Sequence, residues 1–507
     1  MNPNTALPPH LAGQMMMVRI TGTELDAGTE QFLRANGIRA VCLFRNNLRD
    51  ADQCRRLTAD LRRVMGPQAL IAIDQEGGAV VRATWLPPPP SAMALGAADD
   101  PALARAVGAA VARGIASLGF NWNFAPVLDL NNNPHNPVIA ERSFGADPVR
   151  ATALALAWME GSLSQGVACC VKHFPGHGDT HVDSHRALPT VTKTLAQLEA
   201  LEFAAFRQAA PRAPAMMTAH IVYPALDAEY PATLSETILG RLLREAWGYD
   251  GVVITDDMDM QAIAGTYGAG KAAVLALRAG ADMVMALGPR TAQEDTLAAI
   301  RAAIGDGSLS ADAARARLAR LDRLAADYPC RPTAYGADAH AADLQLMRQA
   351  WQRGLTRYRQ PVPPPAGARI RLVARRDAAS DGVSEAGVPA EVLAAALARR
   401  YDVALVTYAD AEQFDWPALP ADGRIVVLAS TSRQRYGPTA RATWKPDLHL
   451  ALWNPFQALD IDAPALLAYG FTAPALDAVD AWLAGTIAAT GRCPVPGFDA
   501  ADAMPAS

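Results

Sequence analysis

Eight short apolar runs recur through the first 330 residues, each followed by a longer amphipathic or alanine-rich stretch. They lie at 15–21, 39–44, 69–74, 121–129, 167–173, 215–222, 251–256 and 282–287. Runs this short and this apolar read as strands buried on both faces, and strands separated by helices form parallel sheets. Eight such units predict an α/β chain folded as a (β/α)8, TIM-like barrel. Helices are expected at 101–117, 194–209 and 236–246, among others.

The C-terminal ends of several of these runs carry polar or ionisable groups: Asp74 with Gln75 and Glu76, Asp129 with Asn131, Lys172 with His173, His220, and Asp256 with Asp257. One acidic residue after a strand is commonly the N-cap of the next helix. Five strand ends behaving alike exceed what capping needs, and in a barrel they converge on one mouth, where this fold places its chemistry.

One window is denser than the rest. KHFPGHGDTHVDSH, Lys172 to His185, spaces His173, His177, His181 and His185 four residues apart beside Asp179 and Asp183. On a helix that spacing would stack the imidazoles on one face, as in a metal-binding helix. Pro175, Gly176 and Gly178 break any such helix, so the histidines are expected on a polar loop leaving the strand at 167–173.

With 507 residues the chain exceeds one ordinary core. Residues 331–368 read as a helical and proline-rich linker, with a helix near 341–357 and the run PVPPP. Beyond it, strands near 369–374, 402–408, 424–429, 448–453 and 465–469, with helices near 389–399 and 473–487, predict a smaller α/β three-layer sandwich over 369–507. The catalytic barrel is assigned to 1–330, and no catalytic residue is assigned to the second domain.

A formal charge of −5 without a block of like charges argues against nucleic acid or an anionic membrane as partner. No run approaches the roughly 18 apolar residues that span a bilayer, and the first residues lack the layout of a signal peptide. Cys42, Cys54, Cys169, Cys170, Cys330 and Cys493 follow no framework spacing, and three fall in apolar runs, as in a reducing compartment. The expected location is cytoplasmic.

Two elements carry candidate chemistry. Asp256 in GVVITDDMDM ends a strand, where a fixed carboxylate can attack an electrophilic carbon; a helix cap or ion-pair partner is the competing role. His185 titrates near neutrality and can give and take a proton, and Asp183 two residues earlier can fix its tautomer. A serine hydrolase centred on Ser184 lacks the Gly-x-Ser-x-Gly elbow. A metallohydrolase built from His173, His177, His181 and Asp183 is the stronger competitor.

Five segments resemble the β-N-acetylglucosaminidases of glycoside hydrolase family 3, of the bacterial cell-wall-recycling kind. They are AIDQEGG with Arg82, NFAPVLDLNNNPHNPVIAERSFGADP, VKHFPGHGDTHVDSH, MMTAHIVYPALD and GVVITDDM. The histidine-bearing loop is specific to this subgroup; the β-glucosidases of the family take their acid/base glutamate from elsewhere. The resemblance implies Asp256 as nucleophile, His185 as general acid/base and Asp183 as its partner. It implies that Asp74, Arg142, Lys172 and His173, with Arg82 nearby, grip sugar hydroxyls. One position departs: where the family often has arginine after the paired glycines, Ala79 follows Gly77 and Gly78. The second domain resembles the smaller domain of some members, shortened and ending in GRCPVPGF.

The activity implied is two-step retaining hydrolysis of terminal β-linked N-acetylglucosamine from muropeptides or chitooligosaccharides, without cofactor or metal. The alternatives are a phosphorylase of the same fold, a β-glucosidase or xylosidase with an altered pocket, and a sugar-binding protein on an inactive barrel. The last would require Asp256 or His185 to be missing, and both are present.

Overall fold

The computed structural model describes residues 10–182, 187–380 and 382–498. Eight parallel strands close a barrel: β1 (Met16–Val18), β2 (Ala40–Leu43), β3 (Leu70–Ile73), β4 (Trp122–Asn123), β5 (Ala168–Phe174), β6 (Ala215–Thr218), β7 (Val252–Asp257) and β8 (Met283–Ala286). Closure is made by β8 on β1, with Met16 opposite Val284. Every apolar run of the first 330 residues supplies one strand.

The period-2 alternation of a strand sorts side chains into two layers. Met17, Ala40, Cys42, Leu70, Ala72, Cys170, Met217 and Met283 fill the barrel interior. Their neighbours Met16, Val41, Ile71, Cys169 and Val171 pack outward against the helices. None of the six cysteines forms a disulfide among the described residues, five of them are buried, and no helix among the described residues is long and apolar enough to cross a membrane.

Local chemistry sets the element ends. The helix Pro101–Ser117 starts where expected, because Asp100 accepts hydrogen bonds from the N–H groups of Ala102 and Leu103 and proline occupies the first turn. The run 121–129 is strand only over Trp122–Asn123: Pro126 has no N–H for the ladder, and the Asn123 side chain bonds both backbone groups of Gln75. The helix expected over 194–209 breaks at Leu201 into Leu195–Ala200 and Glu202–Ala209. The break sends Glu202 inward to Lys193 and to the Asn132 amide, which donates at 3.0 Å.

The second sheet has the order β11-β10-β12-β13-β14-β9, formed by β10 (Arg369–Arg375), β11 (Asp402–Tyr408), β12 (Ile425–Ser430), β13 (Leu448–Ala451) and β14 (Ala465–Leu467), all parallel, and by β9 (Thr356–Tyr358), antiparallel to β14. Helices Ala390–Leu397 and Ala473–Leu483 cover one face, and helix Pro438–Thr443 with a Trp-rich cluster covers the other. The architecture is thus an α/β barrel followed by a three-layer α/β sandwich.

Within 331–368, helix Ala337–Gly354 lies against both units, and β9 follows it into the second sheet. Trp351, 1% exposed, joins Met93, Ala94 and Ala97 of the barrel to Tyr358 and Leu466 of the second unit, and its indole N–H donates to the Pro88 carbonyl at 3.2 Å. Truncation of a buried tryptophan typically costs about 3 to 5 kcal/mol. Trp351→Ala is therefore expected to lower the denaturant midpoint by that order of stability and to separate the unfolding transitions of the two units, measured by chemical denaturation with two probes.

Candidate active site

A cavity of about 330 Å³ opens at the C-terminal mouth of the barrel, within the size range of small-ligand sites. Asp74, Arg82, Arg142, Lys172, His173 and Asp256 all line it. Six residues from four stretches of sequence, 74–82, 142, 172–173 and 256, therefore meet in one place. Asp183 and His185 lie outside the described residues.

The two strands that carry most of the chemistry are irregular just where they reach the mouth. β5 shifts register against β6 between Val171 and Phe174, and β7 shifts against β8 between Ile254 and Asp257. Such bulges re-aim side chains, here Lys172 and His173 on one strand and Asp256 and Asp257 on the other.

The wall beside β3 is an ion network. Glu76 receives a bidentate pair from Arg142, Nε at 2.9 Å and Nη2 at 2.8 Å, and its Oε1 lies 2.6 Å from Lys172 Nζ. The same ammonium is 2.7 Å from Asp74 Oδ1. Burial alone would push the Glu76 carboxyl up, but Arg142 and Lys172 outweigh it and hold the group well below the carboxylate range. Lys172 is raised for the matching reason: burial opposes its charge, and Asp74 and Glu76 more than compensate. Both cations thus stay charged inside a nearly dry wall. Glu76 is one of the polar strand-end groups of the sequence reading but carries no assigned role there; its place three residues beyond β3 was the available signal.

A second anchor lies beneath the histidines. Asp129, with a fully buried side chain, accepts from the His173 and His177 backbone N–H groups and pairs with His173 Nδ1 at 2.6 Å. The Nδ1 contact with Asp129 fixes the orientation of the His173 ring. His177 is buried edge-on to His173, with ring centroids 5.8 Å apart, and its Nδ1 meets Thr180 Oγ1 at 2.8 Å. Burial, followed by the neighbouring His173, pushes His177 down to about 4, so it is neutral at neutral pH. Gly178 is obligatory in this loop, because a Cβ there would collide with the Leu130 carbonyl. The first half of the histidine-rich segment, through Thr180, is therefore buried and pinned. His181 is exposed, 3.2 Å from the Asn133 amide.

Among the described residues, no three His, Cys, Asp or Glu side chains gather at metal-binding geometry. His173 and His177 spend their Nδ1 atoms on Asp129 and Thr180.

Asp256 and Asp257 stand side by side at the end of β7 and both line the cavity. The Asp257 N–H donates to Asp256 Oδ1 at 2.8 Å, which fixes that carboxylate. Asp257 Oδ1 accepts from the N–H groups of Asp259 and Leu287, and its carbonyl oxygen meets His220 Nε2 at 3.0 Å. Arg82 lines the cavity, yet its guanidinium faces the second unit: Nη1 is 3.0 Å from Glu385 Oε1, and Nη2 donates to the Val383 carbonyl at 2.8 Å. Gly382 and Val383 complete the lining from that unit. Ala79 is sealed against Trp453 and Phe471, so the small residue after the paired glycines sits where the second domain packs.

A mouth with charged, hydrogen-bonding walls around a small open cavity suits a neutral polyol, and this is the class of barrel found in glycoside hydrolases. Residues 11–324 match the glycosyl hydrolase family 3 N-terminal domain, and the chain belongs to that family. A β-hexosaminidase of Alkalilimnicola ehrlichii is 38% identical over 284 residues, 54% of this chain and 80% of that one. Among solved structures, a glycoside hydrolase family 3 β-N-acetylglucosaminidase from Paenibacillus sp. str. FPU-7 is 31% identical with a TM-score of 0.86, covering 97% of this chain and 99% of that one. NagZ from Neisseria gonorrhoeae, solved with N-trifluoroacetyl-D-glucosamine, is 30% identical with a TM-score of 0.51, covering 61% of this chain and 98% of that one.

Burial raises the Asp257 carboxyl to about 6, with the adjacent Asp256 adding to the shift. A raised acid pKa means that the folded state holds a proton the unfolded state has lost, so Asp257 costs stability as pH rises from about 4 to 6. His177, being lowered, contributes stability that is complete above about 6.5 and lost as pH falls to about 4. The two slopes oppose each other. Asp257→Asn is expected to raise stability at pH 7 by about 2 to 3 kcal/mol and to leave a steeper acid loss, read from denaturation midpoints between pH 4 and 7.

Proposed function

We propose that the protein is a retaining exo-β-N-acetylglucosaminidase that releases terminal β-linked N-acetylglucosamine from cell-wall fragments or chitooligosaccharides. The supporting observation is the meeting of Asp256 with Asp74, Lys172, Arg142 and His173 around one 330 Å³ cavity. The β-hexosaminidase and β-N-acetylglucosaminidase relatives point to the same substrate class.

In this reading Asp74, Lys172, Arg142 and His173 bind the sugar's hydroxyls and hold the ring in one pose, which converts binding energy into orientation. Asp256 attacks the anomeric carbon while His185 protonates the departing glycosidic oxygen, giving a glycosyl ester on Asp256. His185 then takes a proton from water, whose oxygen attacks the same carbon and frees the carboxylate. Asp183 holds the imidazole in the required tautomer. The roles of Asp183 and His185 rest on the sequence motif. The reading includes a catalytic domain over 1–330, a connection over 331–368, a second domain over 369–507, and a cytoplasmic location.

Asp256→Ala and His185→Ala are each expected to reduce turnover of an aryl β-N-acetylglucosaminide by on the order of 10²-fold to 10⁴-fold, while EDTA leaves the rate unchanged. Inactivation by EDTA with His185→Ala still active would establish a metallohydrolase instead. A sugar phosphate as the product in phosphate buffer would establish a phosphorylase, and faster cleavage of aryl glucosides or xylosides would reassign the substrate.

A further inference from the structure

The arginines of the mouth are tied from outside the barrel, at two points. Arg433 of the second unit makes a buried bidentate pair with Glu141, Nη2 at 2.8 Å and Nε at 3.3 Å, and lies over the Trp453 ring. Glu141 immediately precedes Arg142, the residue that grips Glu76. The Arg433–Glu141 side chains are 6% and 1% exposed, the burial expected of a permanent anchor.

The second tie is different in kind. Residues 383–385 run alongside 79–82: the Glu385 N–H donates to the Ala79 carbonyl at 2.8 Å, the Val383 carbonyl accepts from Arg82 Nη2, and Glu385 Oε1 accepts from Arg82 Nη1. The Glu385 side chain is 26% exposed, so this pair is wetter than the anchor. It is also nearer the chemistry, because Arg82, Gly382 and Val383 all line the cavity. With both terminal nitrogens committed to residues 383 and 385, Arg82 is oriented toward the loop.

We infer that Glu385 is a positioning residue for the sugar cavity: paired with Arg82, it latches the 382–385 loop so that Gly382 and Val383 form a wall against the bound sugar. The inference rests on the functional reading above for the identity of that sugar. Arg82 then acts on the sugar through the wall it holds. The latch can be opened without detaching the second domain, since the Arg433–Glu141 pair, the Ala79–Trp453–Phe471 contact and Trp351 all remain.

Glu385→Ala and Glu385→Gln in the full chain separate the cases. For Glu385→Ala, KM for an aryl β-N-acetylglucosaminide and the inhibition constant of free N-acetylglucosamine are each expected to rise about tenfold, with kcat within threefold of the parent. Glu385→Gln keeps an oxygen acceptor for Arg82 and should recover most of that loss. Hydrogen exchange should quicken over residues 382–388 in Glu385→Ala alone, the rest of the chain exchanging as in the parent. A fall in kcat with KM unmoved would indicate a merely structural residue, and unchanged exchange would overturn the latch. Quickened exchange in Glu385→Ala, with a parent that cleaves no hexosaminide, would leave the latch standing and remove the substrate reading.

Discussion

The mouth of this barrel depends on one carboxylate, Glu76. Two cations, Arg142 and Lys172, are buried within a few ångströms of each other, and each would be driven out or neutralised in a low-dielectric wall without a counter-charge. Glu76 sits between them and Asp74 takes the remaining side of Lys172. The group is satisfied as a set, so removing any one member strands the others. That interdependence is what a site for a neutral sugar needs: donors and acceptors that stay charged and immobile before the ligand arrives.

The fold was legible because burial on both faces leaves a signature that survives in a single sequence. Each barrel run found its strand, and the errors fell where side chains intervene, as at Asn123 and Pro126, which end β4 early, or at Glu202, which breaks a helix to reach Lys193. The polar strand ends gathered at one mouth because barrel topology leaves them nowhere else to go. Less visible were the residues that act through others. Asp129 was one polar strand end among five, and nothing local indicates that it carries two histidine N–H groups and an imidazole. His177 had only its place in a four-residue spacing, and nothing in that spacing indicates that the ring is buried edge-on to His173 with its Nδ1 on Thr180.

The second domain was the least legible part. Its strands were readable, but its contacts with the mouth join residues about 300 positions apart: Arg82 with Glu385, and Glu141 with Arg433. No periodicity encodes such a pair. Ala79 shows the same limit from the other side: its departure from the family pattern was plain, while its reason, a surface closed by Trp453 and Phe471, required the fold.

The layered interior of the barrel bears on the cavity in one more way. Met217 and Met285 belong to the interior layer and also form part of the cavity floor, with Met260 beside them. Thioethers are unbranched and polarizable, so such a floor yields to the shape pressed on it at little cost. In the proposed reaction the pocket would divide its labour mechanically: the charged walls would place each hydroxyl, and a compliant sulfur bed would absorb the change in ring shape.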